Sequence, residues 1–335
     1  MVLQWNEDKW HLAWRGKGGL PSALLLTGPA GLGKARFAEA LAQAALCSTR
    51  TSENYACGAC QSCRLFTAAA HPDLRVLEAS ASEEAAGEGA PPTGSSSSSR
   101  VIGVDRVREL RDFIELSPHL GGHKVILINP AERLHPSAAN ALLKTLEEPT
   151  PGTLFVLVSA RPQQLLPTIR SRCFRLDFRV PSSAQALGWL REEGIADPQV
   201  PLSHAGGAPL AAAELARSSL WRRRPDITRL LFNRDVKPGA LARAIEPDEV
   251  AAFCGLLYKW CADLIGLRLA GRIRYNPDYA QPLAQLAVNS DVLKLQKLMK
   301  DLTVQLRYVE HPLNQRLVCE KVALSYARAI CALEH

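Results

Sequence analysis

Ala23-Leu24-Leu25-Leu26-Thr27-Gly28-Pro29-Ala30-Gly31-Leu32-Gly33-Lys34-Ala35 runs from an apolar stretch into a glycine-rich loop and on into a helical pattern. Residues 23–27 have the uncharged, aliphatic character of a strand covered on both faces. Residues 36–46 put Phe37, Leu41 and Ala45 on one helix face. The loop between them fits G-x-x-x-x-G-K, in which backbone N–H groups around Gly28, Gly31 and Gly33 and the Lys34 ammonium surround nucleotide phosphates. The next position calls for Ser or Thr, whose hydroxyl binds Mg²⁺; here it is Ala35, and a methyl group ligates nothing. Nucleotide binding stays open on these residues alone.

Further strands are predicted at 74–78, 125–128, 154–158 and 174–178, with helices at 104–114 and 137–148, the latter opened by Pro136 and stopped by Pro149. Strands alternating with helices predict an α/β unit with a parallel sheet covered on both faces. A P-loop enzyme also needs an acid at the end of another buried strand, to hold Mg²⁺ and orient the attacking water. The strand at 125–128 runs instead into Asn129-Pro130-Ala131-Glu132. Asn129 is neutral, Pro130 carries no charge, and Glu132 is read as a turn too far along. Loop hydroxyl and strand-end acid are absent together, so no intrinsic ATP hydrolysis is expected.

Nine cysteines are present, four of them in the pattern Cys47-x9-Cys57-x2-Cys60-x2-Cys63. Four thiolates at that spacing suit tetrahedral Zn²⁺, and four protein ligands leave no open coordination position, so the metal is expected to be structural. His71 is a spare ligand type, read as a cap on the next strand. The stretch at 79–99, ASASEEAAGEGAPPTGSSSSS, has no periodicity and little apolar surface to bury, and is read as a flexible insertion. After residue 180 the strands stop. Two helical patterns split by Gly206-Gly207-Ala208-Pro209 are followed, from residue 218, by near-continuous helix with Leu293, Leu295, Leu298, Leu302 and Leu306 at helical spacing.

The 335 residues carry 40 Lys+Arg against 33 Asp+Glu, a net charge of +7, with 47% hydrophobic and 22% charged residues. That mixture is that of a folded protein of two or three domains. No uninterrupted apolar run reaches the ~18–20 residues of a membrane span, and the opening MVLQWNEDKWH lacks the apolar core of a secretory signal. The odd cysteine count in such a chain argues against a disulfide framework, and a cytoplasmic location is expected. A zinc-dependent nucleic-acid module is a competing class, but Lys and Arg are dispersed; the densest cluster, Arg222-Arg223-Arg224, is read as a solvated helix start. The terminal Leu333-Glu334-His335 resembles the start of a vector-derived tag.

TGPAGLGKA, the four-cysteine cluster, SPHLGGHKVILINPAERL, AANALLKTLEEP, LLPTIRSRC and GGAPL follow one another over residues 20–215. This ordered set resembles the clamp-loader branch of the AAA+ superfamily, the branch that serves bacterial DNA polymerase III. The resemblance implies a RecA-like AAA+ module at 1–180 with a zinc-binding insert (47–63) and the insertion at 79–99, a helical lid at 181–217, and an α-helical collar at 218–335 that oligomerises. It implies a hetero-oligomer that places a ring-shaped sliding clamp on primed DNA. The implied partners are the gamma/tau motor subunits and delta, with clamp and DNA met through the assembled complex and no membrane. In that family Ser-Arg-Cys carries an arginine finger, so Arg172 is expected to reach a neighbouring subunit's ATP. Motor subunits have Lys-Ser/Thr in the loop, Asp-Glu after the third strand and an Arg in the lid. This chain has Lys34-Ala35, Asn129-Pro130 and no Arg in Gly206-Gly207-Ala208-Pro209-Leu210, and Ser159 stands where motors keep a polar γ-phosphate sensor. The departures favour a non-hydrolysing, stator role over the alternative of an ATP-hydrolysing motor. The retained Gly28, Gly31, Gly33 and Lys34 leave passive ATP or ADP binding open.

Overall fold

The computed structural model describes residues 2–15, 19–79, 101–120, 122–233, 238–308 and 315–330. The low-complexity stretch beyond Ala79 and the terminal Leu333-Glu334-His335 lie outside the described residues. The chain divides into two compact units, with the boundary between Pro181 and Ser182.

In the first unit, in chain order, α1 (Glu7–Ala13), β1 (Ala23–Thr27), α2 (Lys34–Leu46), α3 (Gln61–Thr67), β2 (Leu74–Glu78), α4 (Val104–Glu115), β3 (Lys124–Asn129), α5 (Pro136–Glu147), β4 (Thr153–Ser159), α6 (Pro167–Arg170) and β5 (Phe174–Asp177) surround one sheet. Every strand pair is parallel and the order is β2-β3-β4-β1-β5. The central strands β1 and β4 are buried at every position, as their uncharged sequences require. Leu25, Ile126 and Phe155 pack on one face with Val107, Leu110 and Phe113 of α4 and with Ala138, Leu142 and Leu146 of α5. Helix α2 packs against β1, β3 and β4, with Phe37 and Leu41 buried. Pro136 opens α5 and the His135 side chain caps it, accepting from the Ser137 N–H at 3.3 Å.

β1 has β4 on one side and β5 on the other, so the chain leaves the C-terminal end of β1 at a crevice between crossovers. The register pairs Thr27 with Ser159 and Glu78 with Asn129. The glycine loop, Asn129 and Ser159 are thereby brought to one edge of the sheet.

The second unit is helical. α7 (Ser183–Glu192), α8 (Gln199–His204) and α9 (Pro209–Arg217) enclose a small core of Ala186, Leu190, Leu202, Ala212 and Ala213. A larger cluster joins α10 (Ser219–Arg222), α11 (Arg224–Phe232), α12 (Pro238–Arg243), α13 (Val250–Ala270), α14 (Ala280–Val288), α15 (Val292–Tyr308) and α16 (Gln315–Ile330). At its centre the Trp260 indole N–H donates to the Tyr326 hydroxyl at 2.9 Å, which donates to the Leu231 carbonyl at 2.8 Å. The helix over residues 247–270 contains an 18-residue window with a mean hydropathy of 1.5 and has the length to cross a bilayer. Phe253, Leu257, Trp260 and Leu264 are instead buried among neighbouring helices, which accounts for that hydropathy.

Two sequence expectations change here. Leu295, Leu298 and Leu302 are buried, but Leu293 lies off their stripe and is 76% exposed. Arg223 and Arg224 are not a solvated helix start. Arg223 pairs with Glu249, and Arg224, 5% exposed, is forked onto Asp278 at 2.6 and 3.0 Å and onto Asn276 at 2.8 Å. Its guanidinium also stacks on the Trp221 and Tyr279 rings, an arrangement that suits the planar Arg head.

Candidate functional site

The loop between β1 and α2 is shaped by glycine. At Gly28 φ is +138° and a Cβ would lie 2.3 Å from the Phe178 carbonyl oxygen, so no other residue fits. Gly33 caps α2 at φ +90°, and a Cβ there would strike the Leu3 side chain at 2.5 Å. The N-terminal segment closes over the loop: the Trp5 indole N–H and the Asn6 amide both donate to the Leu32 carbonyl, at 3.2 and 3.0 Å.

Lys34 is only 6% exposed, and its Nζ donates to the Gly28 and Pro29 carbonyls at 2.6 and 2.7 Å. The ammonium thus ties the loop to itself. Burial lowers its pKa to about 8, against the opposing pull of the Glu132 carboxylate. Glu132 is nearer the site than its sequence position implies. A 3-10 turn over Ala131–Arg133 swings it back toward the end of β4, where Oε1 accepts from the Ala160 N–H at 3.0 Å. Its Oε2 is buried without a hydrogen-bond partner. Ser159 is fully buried and its Oγ accepts from the Arg161 N–H at 3.1 Å. The backbone of a phosphate cradle is therefore present, but Ala35 and Asn129 stand where a hydroxyl and a carboxylate would hold Mg²⁺. This donor set does not fit a hydrolytic Mg–ATP centre.

A second constellation follows α2. The sulfurs of Cys47, Cys57, Cys60 and Cys63 all lie within 4.8 Å of one another, and Cys47 Sγ is 3.8 Å from Cys60 Sγ. A tetrahedral zinc with ~2.3 Å bonds separates its sulfurs by about 3.8 Å, so the set fits the metal. Backbone N–H groups converge on the same sulfurs: Cys57 N–H on Cys47 at 3.3 Å, Ala59 and Cys60 N–H on Cys57 at 3.4 and 3.3 Å, Cys63 N–H on Cys60 at 3.4 Å. Such donors stabilise thiolates. The Ser48 and Cys63 hydrogen bonds bring the Cys60 thiol down to about 5, while burial pushes Cys63 up. Trp10 supports the loop from outside, stacked on Tyr55 at 4.6 Å with its indole N–H donating to the Glu53 carbonyl at 3.0 Å. His71 stays out of the cluster; its Nδ1 accepts from the Asp73 N–H at 3.1 Å, just ahead of β2.

Arg172 lies between α6 and β5. The register pairs Phe174 with Leu24, so Arg172 sits at the strand-start end of the sheet, while Gly28 leaves the strand-finish end. The two lie beyond opposite ends of the β1–β5 ladder, which itself spans ~10 Å from Leu24 to Thr27. Arg172 therefore does not serve the loop of its own chain. Its guanidinium is anchored: Nη1 donates to the Thr168 carbonyl at 2.9 Å and Nη2 pairs with the Glu147 carboxylate at the end of α5. Glu147, inside the LEEP sequence, is a contact that motif reading alone did not assign.

The family model described as DNA polymerase III, delta subunit, matches residues 14–182. DNA polymerase III subunit delta' of Pseudomonas aeruginosa is 34% identical over 269 residues, 78% of this chain and 75% of the relative. The subunit of that name in Yersinia pestis is 34% identical over 324 residues, 92% and 89% of the two chains. Among solved structures, a DNA polymerase III gamma-subunit-related protein from Thermotoga maritima aligns over 96% of this chain and 98% of its own at 18% identity, with a TM-score of 0.43.

Proposed function

The chain belongs to the delta-prime family of bacterial DNA polymerase III subunits, and from that membership we propose that it is a non-hydrolysing, stator subunit of the clamp loader. In this reading Arg172 is an arginine finger that enters the ATP site of an adjoining gamma/tau motor subunit and stabilises charge on the γ-phosphate in trans. The observation that carries it is the separation of the two functional ends. Arg172 is presented at the end of the sheet away from its own loop, and that loop lacks the Mg²⁺ ligands that turnover needs. Ala35, Asn129 and Pro130 weigh against the alternative of a motor subunit. Nucleotide held by Gly28, Gly31, Gly33 and Lys34 would sit there without turnover.

The remaining assignments follow the same reading. Cys47, Cys57, Cys60 and Cys63 hold a structural Zn²⁺ that fixes the loop between α2 and α3. The helices at 181–217 act as lid and those from 218 as the collar through which the subunit meets delta and the motors. Sliding clamp and primed DNA are met by the assembled loader in the cytoplasm. The test is steady-state, DNA- and clamp-stimulated ATP hydrolysis by a reconstituted loader with Arg172→Ala. A several-fold fall is expected, as one motor site loses its finger; an unchanged rate would remove the reading.

A further inference from the structure

An arginine that must act on another subunit's phosphate begins as an exposed side chain with about 2 kcal/mol of rotamer entropy to lose. Arg172 does not carry that freedom. Its side chain is 33% exposed and is fixed at both terminal nitrogens: Nη1 to the Thr168 carbonyl at 2.9 Å and the Ser171 hydroxyl at 3.4 Å, Nη2 to Glu147 Oε1. The first two partners belong to its own short segment. Glu147 comes from a different element, the last residue of α5, a helix anchored in the core by Ala138, Leu142 and Leu146.

We propose that Glu147 is a positioning residue for Arg172, bracing the guanidinium from the rigid end of α5 so that it meets the neighbour's γ-phosphate already oriented. The proposal rests on the finger reading above. Three features support it. The hydrogen bonds to Thr168 and Ser171 are made by Nη1 and Glu147 pairs with Nη2, so the Nε hydrogen takes part in none of these contacts and can serve a phosphate. The C-terminal end of α5 adds its own partial negative charge, so it attracts the same cation. The pair is partly exposed, with Glu147 at 47%, so solvent screens its charge and Arg172 keeps much of its pull on an incoming anion.

The test is a reconstituted loader carrying Glu147→Ala, Glu147→Gln, Arg172→Ala or the Ala–Ala double variant, with kcat and KM for ATP measured under clamp and DNA stimulation. Glu147→Ala is expected to lower kcat about fivefold, or ~1 kcal/mol, with KM unchanged. Glu147→Gln, which keeps an acceptor of the same length, is expected to restore kcat to within about twofold, and Glu147→Ala is expected to add nothing to Arg172→Ala. Three results overturn the proposal: no change with Glu147→Ala while Arg172→Ala is impaired, a further loss in the double variant, or a lower KM at constant kcat, the signature of a competing latch. An unaffected Arg172→Ala loader removes the finger reading itself, and the brace with it. Melting of the isolated Glu147→Ala chain within about 1 °C of the parent checks that the fold is intact, as loss of an exposed pair should leave it.

Discussion

His204, the last residue of α8, is 1% exposed and sits edge-on to the Trp221 ring with centroids 5.2 Å apart. Burial first, then the nearby Lys259 and Arg224 cations, hold its pKa at about 3, against hydrogen bonds with the Asn276 side chain and the Tyr275 backbone that favour the charged form. The unfolded chain takes up that proton near pH 6.5, the folded one not until about 3. Between those values the unfolded state binds more protons, so stability falls as pH falls, by about 1.4 kcal/mol per pH unit from this group. Above pH 6.5 the effect vanishes. Replacing it with a non-titrating ring, His204→Phe, should make the stability difference from the parent drift by about that slope between pH 6 and pH 4 in denaturant unfolding; parallel profiles would refute the assignment. Nothing in the sequence announced this residue, because a lone histidine acquires its meaning only from what encloses it. Glu132 lies nearer the loop than residue counting suggests, for a related reason. Counting residues past a strand assumes an extended path, and the 3-10 turn at Ala131–Arg133 folds that path back.

Whole elements were more legible than single residues. The five strands fall where aliphatic runs predicted them: β1, β3 and β4 are buried on both faces and cannot hide their composition, while the edge strands β2 and β5 are largely exposed and show shorter apolar runs broken by charge. Helices α4 and α5 end within a residue of expectation, α5 because Pro136 and Pro149 bracket it. Helices α1 and α3 were not read from the sequence: each has seven residues, too few for periodicity to stand out. Their stability comes from context instead. α3 starts at the Cys60 cap, whose sulfur accepts from the Cys63 N–H, so the thiol cluster and the helix start are one structure. Metal analysis of the reduced, purified chain is expected to give one Zn²⁺ per chain. Its removal by a strong chelator should lower the melting temperature and raise amide exchange across residues 47–67. Metal-free protein with intact thiols and unchanged melting would show the cysteines to be a bare thiol cluster.

At the scale of the molecule, the parallel sheet separates two chemistries that a motif list sets side by side. By spacing and composition the glycine loop and the Ser-Arg-Cys sequence could both belong to one ATP site, and in the sequence only the family resemblance says otherwise. Topology does as well, because β1 and β5 run parallel, so a loop after the one and a loop before the other are at opposite ends. Beyond residue 182 the sequence disclosed helix but not arrangement, since apolar spacing reports which face is buried and not against what. The division into two ends makes a claim that can be checked on the assembled loader. Lys34→Met keeps the aliphatic stem while removing the ammonium that holds Gly28 and Pro29, and it touches a loop without Mg²⁺ ligands. Stimulated ATP hydrolysis should therefore stay within about twofold of the parent while Arg172→Ala impairs it. If Lys34→Met instead costs as much as Arg172→Ala in a loader that still assembles, nucleotide at this chain's own loop contributes to turnover, and the stator assignment gives way to the motor one.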